Sequence, residues 1–264
     1  MDPDDFAPIT LDDPERYFAR LDAFEASHWW PRAMRKIVLE LVGRAIAGRS
    51  GVVAVDVGCG TGRLLGGLAA IPGVEAVLGI EPEPTAVARV DPRFSAIRAS
   101  ALNLPLREAS VDVVCCLDVV QHLSPGGAER AFAEFARVLR AGGIAVVRGN
   151  AERRSGGLAG LRSRAREAGF ELETATHLNM IPGAASELVA WLGRIQRGAG
   201  VGSPEGAGLP RESARGGGSR LLGWIAEGEA RAVARWGVVL PWGHGSLITA
   251  RKPRIDVDEK GPRG

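Results

Sequence analysis

Cysteine is scarce: 264 residues hold three, Cys59, Cys115 and Cys116. Cys115 and Cys116 are neighbours in an apolar run and would face opposite sides of a sheet, so no disulfide framework can be drawn from them. They read as buried, reduced thiols. Histidine is equally sparse, and His28, His122, His177 and His244 share no ligand spacing with one another or with cysteine. No metal site is expected. Charge of one sign is also missing, since 33 basic residues stand against 31 acidic ones and the two kinds are interspersed. That pattern lacks the electrostatic footprint of a nucleic-acid binder. No apolar run approaches the roughly 18 residues of a membrane span. The amino-terminal "MDPDDFAPITLDDPER" is acidic, without the basic start and apolar run of a signal peptide. A cytoplasmic protein without membrane insertion is expected.

What is present is a regular alternation of helix and strand. With 45% hydrophobic residues the chain can bury a substantial core. Phe18, Leu21 and Phe24 recur at helical spacing, as do Met34, Val38, Leu41 and Ala45 after Pro31, giving two helices before the first strand. "GVVAVDV" is a short apolar run bounded by glycine, suited to a buried parallel strand. A helix is predicted from about Thr61 to Ala70, then strands in "VEAVLGIE", "FSAIRAS" and "SVDVVCCLD". "GGAERAFAEFARVLRAGG" reads as a helix closed by a Gly pair, followed by a strand in "GIAVVRGN", a helix in "LAGLRSRAREAGF" and a strand in "ELETATHL". The pattern then breaks. Ile181, Ala184, Ala185, Leu188, Leu192 and Ile195 mark an amphipathic helix, a Gly-rich stretch follows, and a helix at about Leu221 to Trp236 precedes a last strand in "GSLITARKP".

The expected fold is α/β, a doubly wound, mostly parallel seven-stranded sheet with ligands at the carboxyl ends of its strands. The division expected is an amino-terminal helical lid (1–48), an α/β core (49–177), a helical insertion (178–243) containing a flexible loop at 197–219, and the last strand with its tail (244–264).

"VAVDVGCGTGRLLGG" carries the most chemistry. A dinucleotide site wants G-x-G-x-x-G, yet from Gly58 and Gly60 the third position is Arg63, and from Gly60 and Gly62 it is Leu65. Neither frame fits. The cluster fits a ligand with no pyrophosphate: the glycines admit close backbone, helix-start amides can receive a carboxylate, and Asp56 can meet an amino group. Glu81, at the end of the second strand, is placed for two ribose hydroxyls. That arrangement suits S-adenosylmethionine.

The same segments resemble the class I S-adenosylmethionine-dependent methyltransferases, in particular the bacterial type 11-like branch. "VDVGCGTGRLL" looks like the family's first motif, "GIEPEP" like its second, "LNLPLREASVDVVCCLDVVQHL" like the adenine loop and fourth strand, and "ARVLRAGGIAVV" like the turn before the fifth. "EASHWWPRAMRKIV" is similar to an amino-terminal segment of one bacterial branch. The resemblance implies a cofactor set of Asp56, Gly58, Cys59, Gly60, Gly62, Glu81, Pro82, Ser100, Ala101, Leu102 and Asp118, with Trp29 and Trp30 as a lid and S-adenosylhomocysteine as product. Ser100 departs from it, standing where an aspartate usually accepts from adenine. A neutral contact there is weaker.

Several residues have two readings. Trp29 and Trp30 either cover the cofactor, where an indole face favours a sulfonium, or staple the helices to the core. Asp118 is a cofactor or acceptor group, or a helix cap. His122 is a candidate base or a packed helix residue. No acid–base pair stands out, which suits a reaction run by alignment and exclusion of water.

No N-P-P-Y-like turn or Pro-Cys pair is present, which disfavours DNA acceptors, and Tyr17, the only tyrosine, supplies no Tyr-x-x-x-Lys pair for a nicotinamide reductase. A small-molecule acceptor is expected. Leu188, Trp191, Leu192, Trp224, Trp236 and Trp242 suggest one with apolar surface, or else a cover for the sheet. The alternative function is a binding scaffold without turnover.

Overall fold

The computed structural model describes residues 13–150, 156–180 and 217–254. Helix α1 (Pro14–Ser27) begins where Asp13 Oδ1 accepts the Arg16 amide at 3.0 Å and Pro14 presets the first turn. His28 interrupts it in an extended conformation and caps α2 (Trp29–Ala45), its Nδ1 accepting the Trp30 amide at 3.2 Å. The alternation then runs β1 (Val52–Val57), α3 (Leu65–Ala69), β2 (Val74–Glu81), α4 (Pro84–Val87), β3 (Ser95–Arg98), β4 (Val111–Leu117), a 3-10 turn (Val120–His122), α5 (Gly127–Val138), β5 (Leu139–Asn150), α6 (Gly157–Glu167) and β6 (Glu171–Leu178). Helix α7 (Gly217–Trp236) and β7 (Gly245–Arg251) complete the described elements.

The seven strands lie in the order β3-β2-β1-β4-β5-β7-β6. All neighbours pair in parallel except β7, which is antiparallel to both β5 and β6. Both faces of the central strands are covered, which is why β1 and β4 are apolar apart from Asp56 and Asp112 instead of alternating. Phe132, Phe135 and Val138 of α5 with Leu158 and Leu161 of α6 fill one face. Ile37, Val38 and Val42 of α2 with Ala230, Val233 and Ala234 of α7 fill the other. From β1 the chain proceeds to β2 and β3 on one side, while β4 opens the other side. The switch point between β1 and β4 is where a crevice forms at the strands' carboxyl ends. At the opposite end, buried Asp112 pairs with Arg49 and Arg140 and accepts the Val53 amide at 3.0 Å.

Some boundaries differ from the sequence-based expectation. Helix α3 is half the predicted length, because residues 58–64 are drawn into a turn with positive φ at Gly58, Gly60 and Gly62. Helix α5 ends at Val138, before the Gly pair, because Leu139 is extended and pairs with Val111 in the sheet. Gly142 and Gly143 therefore lie inside β5, where a Cβ on Gly143 would approach Arg140 O to 2.8 Å. Helix α7 already begins at Gly217, so the last residues of the expected loop are helical. The helix expected over Ile181–Ile195 lies outside the described residues, as do Leu188, Trp191, Leu192 and the loop up to residue 216. Among the described residues no helix is long and apolar enough to cross a membrane.

Candidate functional site

The Gly-rich turn between β1 and α3 has three glycines with three different reasons. Gly58 sits at φ 77°, and a Cβ there would stand 2.1 Å from Val119 Cγ2, so its missing side chain lets the β4 exit pack on the turn. Gly62 sits at φ 79° against Val90 and Leu65. Gly60, at φ 53°, is the open one: nothing lies within 4 Å of the place its Cβ would occupy.

Glu81, at the end of β2, reaches back to this turn. Its Oε2 accepts the Gly60 amide at 2.9 Å and its Oε1 the Glu83 amide at 3.1 Å. Burial pushes its carboxyl pKa up, while these two amide bonds oppose that shift. Pro82 follows, its carbonyl accepting from Arg98 Nε at 3.2 Å. Asp56, at the end of β1, is 4% exposed, and no hydrogen bond to its carboxylate is found among the described residues. Burial, reinforced by nearby Glu25 and Glu81, pushes its carboxyl up to about 7. A buried carboxylate without a donor is a group arranged for a cation.

On the far side of β2, Ser100, Ala101 and Leu102 are buried, and Ser100 Oγ accepts the Leu102 amide at 3.1 Å. The hydroxyl thus closes the turn that an aspartate would close, and its own proton stays available. Cys59 contributes backbone only. Its Sγ packs toward Gly79, where a Cβ would come within 2.7 Å of it, and burial raises the thiol pKa. Cys115 and Cys116 are free and buried in β4.

Asp118, just past β4, adopts φ 59°, an uncommon conformation for a residue with a side chain. Its Oδ2 is paired with Arg148 Nη1, while its Oδ1 and Arg148 Nε are buried without partners. Arg148 is 2% exposed and lies 4.4 Å over the Trp30 ring. The face of that indole therefore already holds a cation, and Trp29 packs beside Gly223 of α7. His122 is exposed on the 3-10 turn, not packed, with Nε2 3.4 Å from Gln121 Nε2. Trp224, Trp236 and Trp242 are 82%, 76% and 51% exposed, so they do not cover the sheet.

Four residues near the crevice escaped the sequence reading. Helix α1 lies over the turn, Asp22 Oδ1 accepting from Arg63 Nε at 2.7 Å and Thr61 Oγ1 at 3.2 Å. On the same helix, burial pushes the Tyr17 pKa up, reinforced by Glu25 and Glu81, and burial pushes that of Glu25 up against the opposing charges of Arg35 and Arg63. Tyr17, Leu21 and Glu25 recur every fourth residue, a spacing that puts them on one face. The other omission is Arg148, an arginine inside the apolar run "GIAVVRGN". A lone cation in such a run is itself a signal.

Among the described residues no group of three or more His, Cys, Asp or Glu could hold a metal ion. An S-adenosylmethionine molecule fits what is present: open space at Gly60, an unpartnered acid for an ammonium at Asp56, and a carboxylate held by two amides at Glu81.

Comparison with known proteins agrees. Residues 55–147 match the methyltransferase domain family model. A "Probable S-adenosylmethionine-dependent methyltransferase" of Mycobacterium tuberculosis is 32% identical over 126 residues, 47% of this chain and 43% of that protein. The chain spans about half the length of the curated relatives it matches. A TehB-like methyltransferase structure from Corynebacterium glutamicum is 26% identical, with a TM-score of 0.50 over 61% of this chain and 85% of that one. A Haemonchus contortus phosphoethanolamine N-methyltransferase, solved with S-adenosyl-L-methionine, shares the fold at 17% identity, with a TM-score of 0.57 over 92% of this chain and 59% of that one. Fold, turn and comparisons together make residues 55–147 a methyltransferase domain similar to those of S-adenosylmethionine-dependent methyltransferases.

Proposed function

We propose that the protein transfers the methyl group of S-adenosylmethionine to a small-molecule oxygen, nitrogen or carbon nucleophile by in-line displacement. The observation that carries this reading is the convergence of Asp56, open Gly60 and doubly held Glu81 on one crevice. When bound, the cofactor supplies a methyl group on a cationic sulfur, whose charge is lost on transfer. The protein's part is to bind, align and keep water out. Asp56 pairs with the amino group of the methionine part, Glu81 takes the ribose hydroxyls, and Ser100, Ala101 and Leu102 border the adenine. Helix α1 closes over them, tied down through Asp22, Thr61 and Arg63. Asp118 is committed to Arg148 and His122 lies exposed, so neither forms a preassembled acid–base pair.

The near-balanced charge supports a small acceptor over nucleic acid, and the exposed indoles of Trp224, Trp236 and Trp242 support one with apolar surface. Three free, buried thiols suit the reducing cytoplasm. Titration calorimetry with S-adenosylmethionine and S-adenosylhomocysteine tests the reading. Both should bind, and Glu81→Ala should weaken binding by about 1.5–3 kcal/mol, the scale of hydrogen bonds to a charged group. Absence of binding to either ligand would sink the proposal.

A further inference from the structure

The outer side of the helix pair α2 and α7 carries apolar surface that the donor site does not use. Along α7, Trp224, Gly228, Arg231 and Arg235 are exposed and recur at i, i+4, i+7 and i+11, a stripe turned away from the buried Ala226, Ala230, Val233 and Ala234. Trp236 follows next to Arg235, roughly 18 Å along the helix from Trp224. Beyond it Val238, Val239 and Trp242 are exposed in the connection to β7, while Leu240 between them is buried. Exposed large apolar side chains gathered on one face mark a contact surface. The same side is cationic. Arg32, Lys36 and Arg44 of α2 are exposed beside Arg231 and Arg235 of α7. The acids among them are already paired, Glu227 with Lys36 at 2.7 Å and Arg231 at 3.5 Å, and Glu40 with Arg235 at 2.7 Å. Glu229 is engaged elsewhere, accepting the Asn179 and Met180 amides. The pairs between the helices join their outward sides into one surface, on which the basic groups are in excess.

We propose that this face docks the protein on an anionic lipid surface, with α7 lying in the plane of the headgroups, its indoles where water meets hydrocarbon and its arginines on lipid phosphates. An indole has an apolar body and one N–H, which suits that boundary better than either phase. The guanidinium groups supply a charge complementarity that a second copy of this chain lacks, since two such faces would bring like charges together. Contact of this kind is made by the side chains of a surface helix and needs no spanning one. The end of the face at Trp224 adjoins the crevice, because Gly223 packs on Trp29 and the neighbouring Trp30 lies against Arg148. A docked protein thus holds the mouth of the crevice near the lipid. The inference goes beyond the methyl-donor reading and does not depend on it.

The test is sedimentation of the full chain, without S-adenosylmethionine, with vesicles of phosphatidylglycerol or of phosphatidylcholine. The wild type should bind phosphatidylglycerol about tenfold more tightly, and should lose that preference in about 1 M salt. Trp224→Ala combined with Trp236→Ala should weaken binding to phosphatidylglycerol about tenfold, and so should Arg32→Glu combined with Arg231→Glu. Melting temperatures should stay close to the wild type, because all four side chains are exposed. Arg16→Glu combined with Arg107→Glu makes the same change of net charge at exposed positions away from this face, and should bind as the wild type does. Absence of binding to phosphatidylglycerol overturns the inference, as does an equal loss in the Arg16 and Arg107 variant. A wild-type dimer in sedimentation velocity that the two Trp substitutions dissolve overturns it too, by giving the face to a second copy. Failure on vesicles leaves the methyl-donor reading to the calorimetry described above.

Discussion

Asp56 gives the crevice its pH dependence. Its ordinary value is 3.8 and its folded value about 7, so between these limits the folded protein holds a proton that the unfolded chain has lost. Stability therefore falls as pH rises through that window, by about 4 kcal/mol at most, and the loss is complete above pH 7. Asp56→Asn removes the penalty. It should melt higher than the wild type at pH 8 and similarly at pH 4. Ligand binding should show the opposite preference, because an ammonium needs the ionised acid. Calorimetry should find S-adenosylmethionine affinity falling about tenfold per unit below pH 7 and flat above it. A flat profile throughout would remove Asp56 from the site.

The glycines separate folding from binding in the same way. Gly58→Ala puts a methyl group into Val119 and should lower stability by roughly 2–4 kcal/mol, read by denaturant unfolding. Gly60→Ala meets no neighbour and should lose only about 1 kcal/mol from its left-handed backbone. Its larger effect should be on ligand affinity. Equal effects of the two on stability and affinity would mean that the turn is merely structural.

At the scale of elements, α1 depends on polar ties more than on packing. Phe18 is its one buried side chain, and the pairs Asp22–Arg63 and Glu15–Arg89 are partly exposed. Each such pair is worth only about 0.5 kcal/mol. Arg63→Ala should therefore leave the melting temperature almost unchanged while hydrogen exchange in residues 14–27 speeds up. Addition of S-adenosylhomocysteine should slow that exchange again.

The elements also differ in how far the amino-acid pattern revealed them. Strands β1 and β4 were plain because burial on both faces writes apolar runs broken only by Asp56 and Asp112. Glu81 was legible too, since strand period and its position after the Gly-rich turn both place it. The start of α3 was not, because Thr61 to Leu64 have helix-compatible residues and only the positive φ of Gly60 and Gly62 postpones the helix. The Gly pair after α5 was misread for the converse reason: it looks like a helix stop, while pairing between Leu139 and Val111 had already ended the helix. Arg148 acts through its pair with Asp118, a contact across elements that local pattern does not encode.

For the whole molecule, the two ends of the sheet divide labour. The carboxyl ends hold the unpartnered Asp56 beside the amide-held Glu81, and the other end is fastened by Asp112 between Arg49, Arg140 and the Val53 amide. Asp112→Ala should cost about 1–3 kcal/mol, since it leaves the Val53 amide without its acceptor while Arg49 and Arg140 remain open to water. Ligand affinity at saturating stability should be untouched. A loss of binding without a loss of stability would show that the two ends are coupled.

The antiparallel strand β7 has a consequence for the order in which the protein is made. Among the described residues, strand β6 pairs with no strand but β7, and β5 completes its outer edge only with β7. A chain emerging from the ribosome thus presents β5 with a bare edge and β6 with no neighbour until residues 245–251 appear. During that interval the nascent chain carries a vacant slot one strand wide, open to any extended segment, and the late arrival of β7 is what closes it.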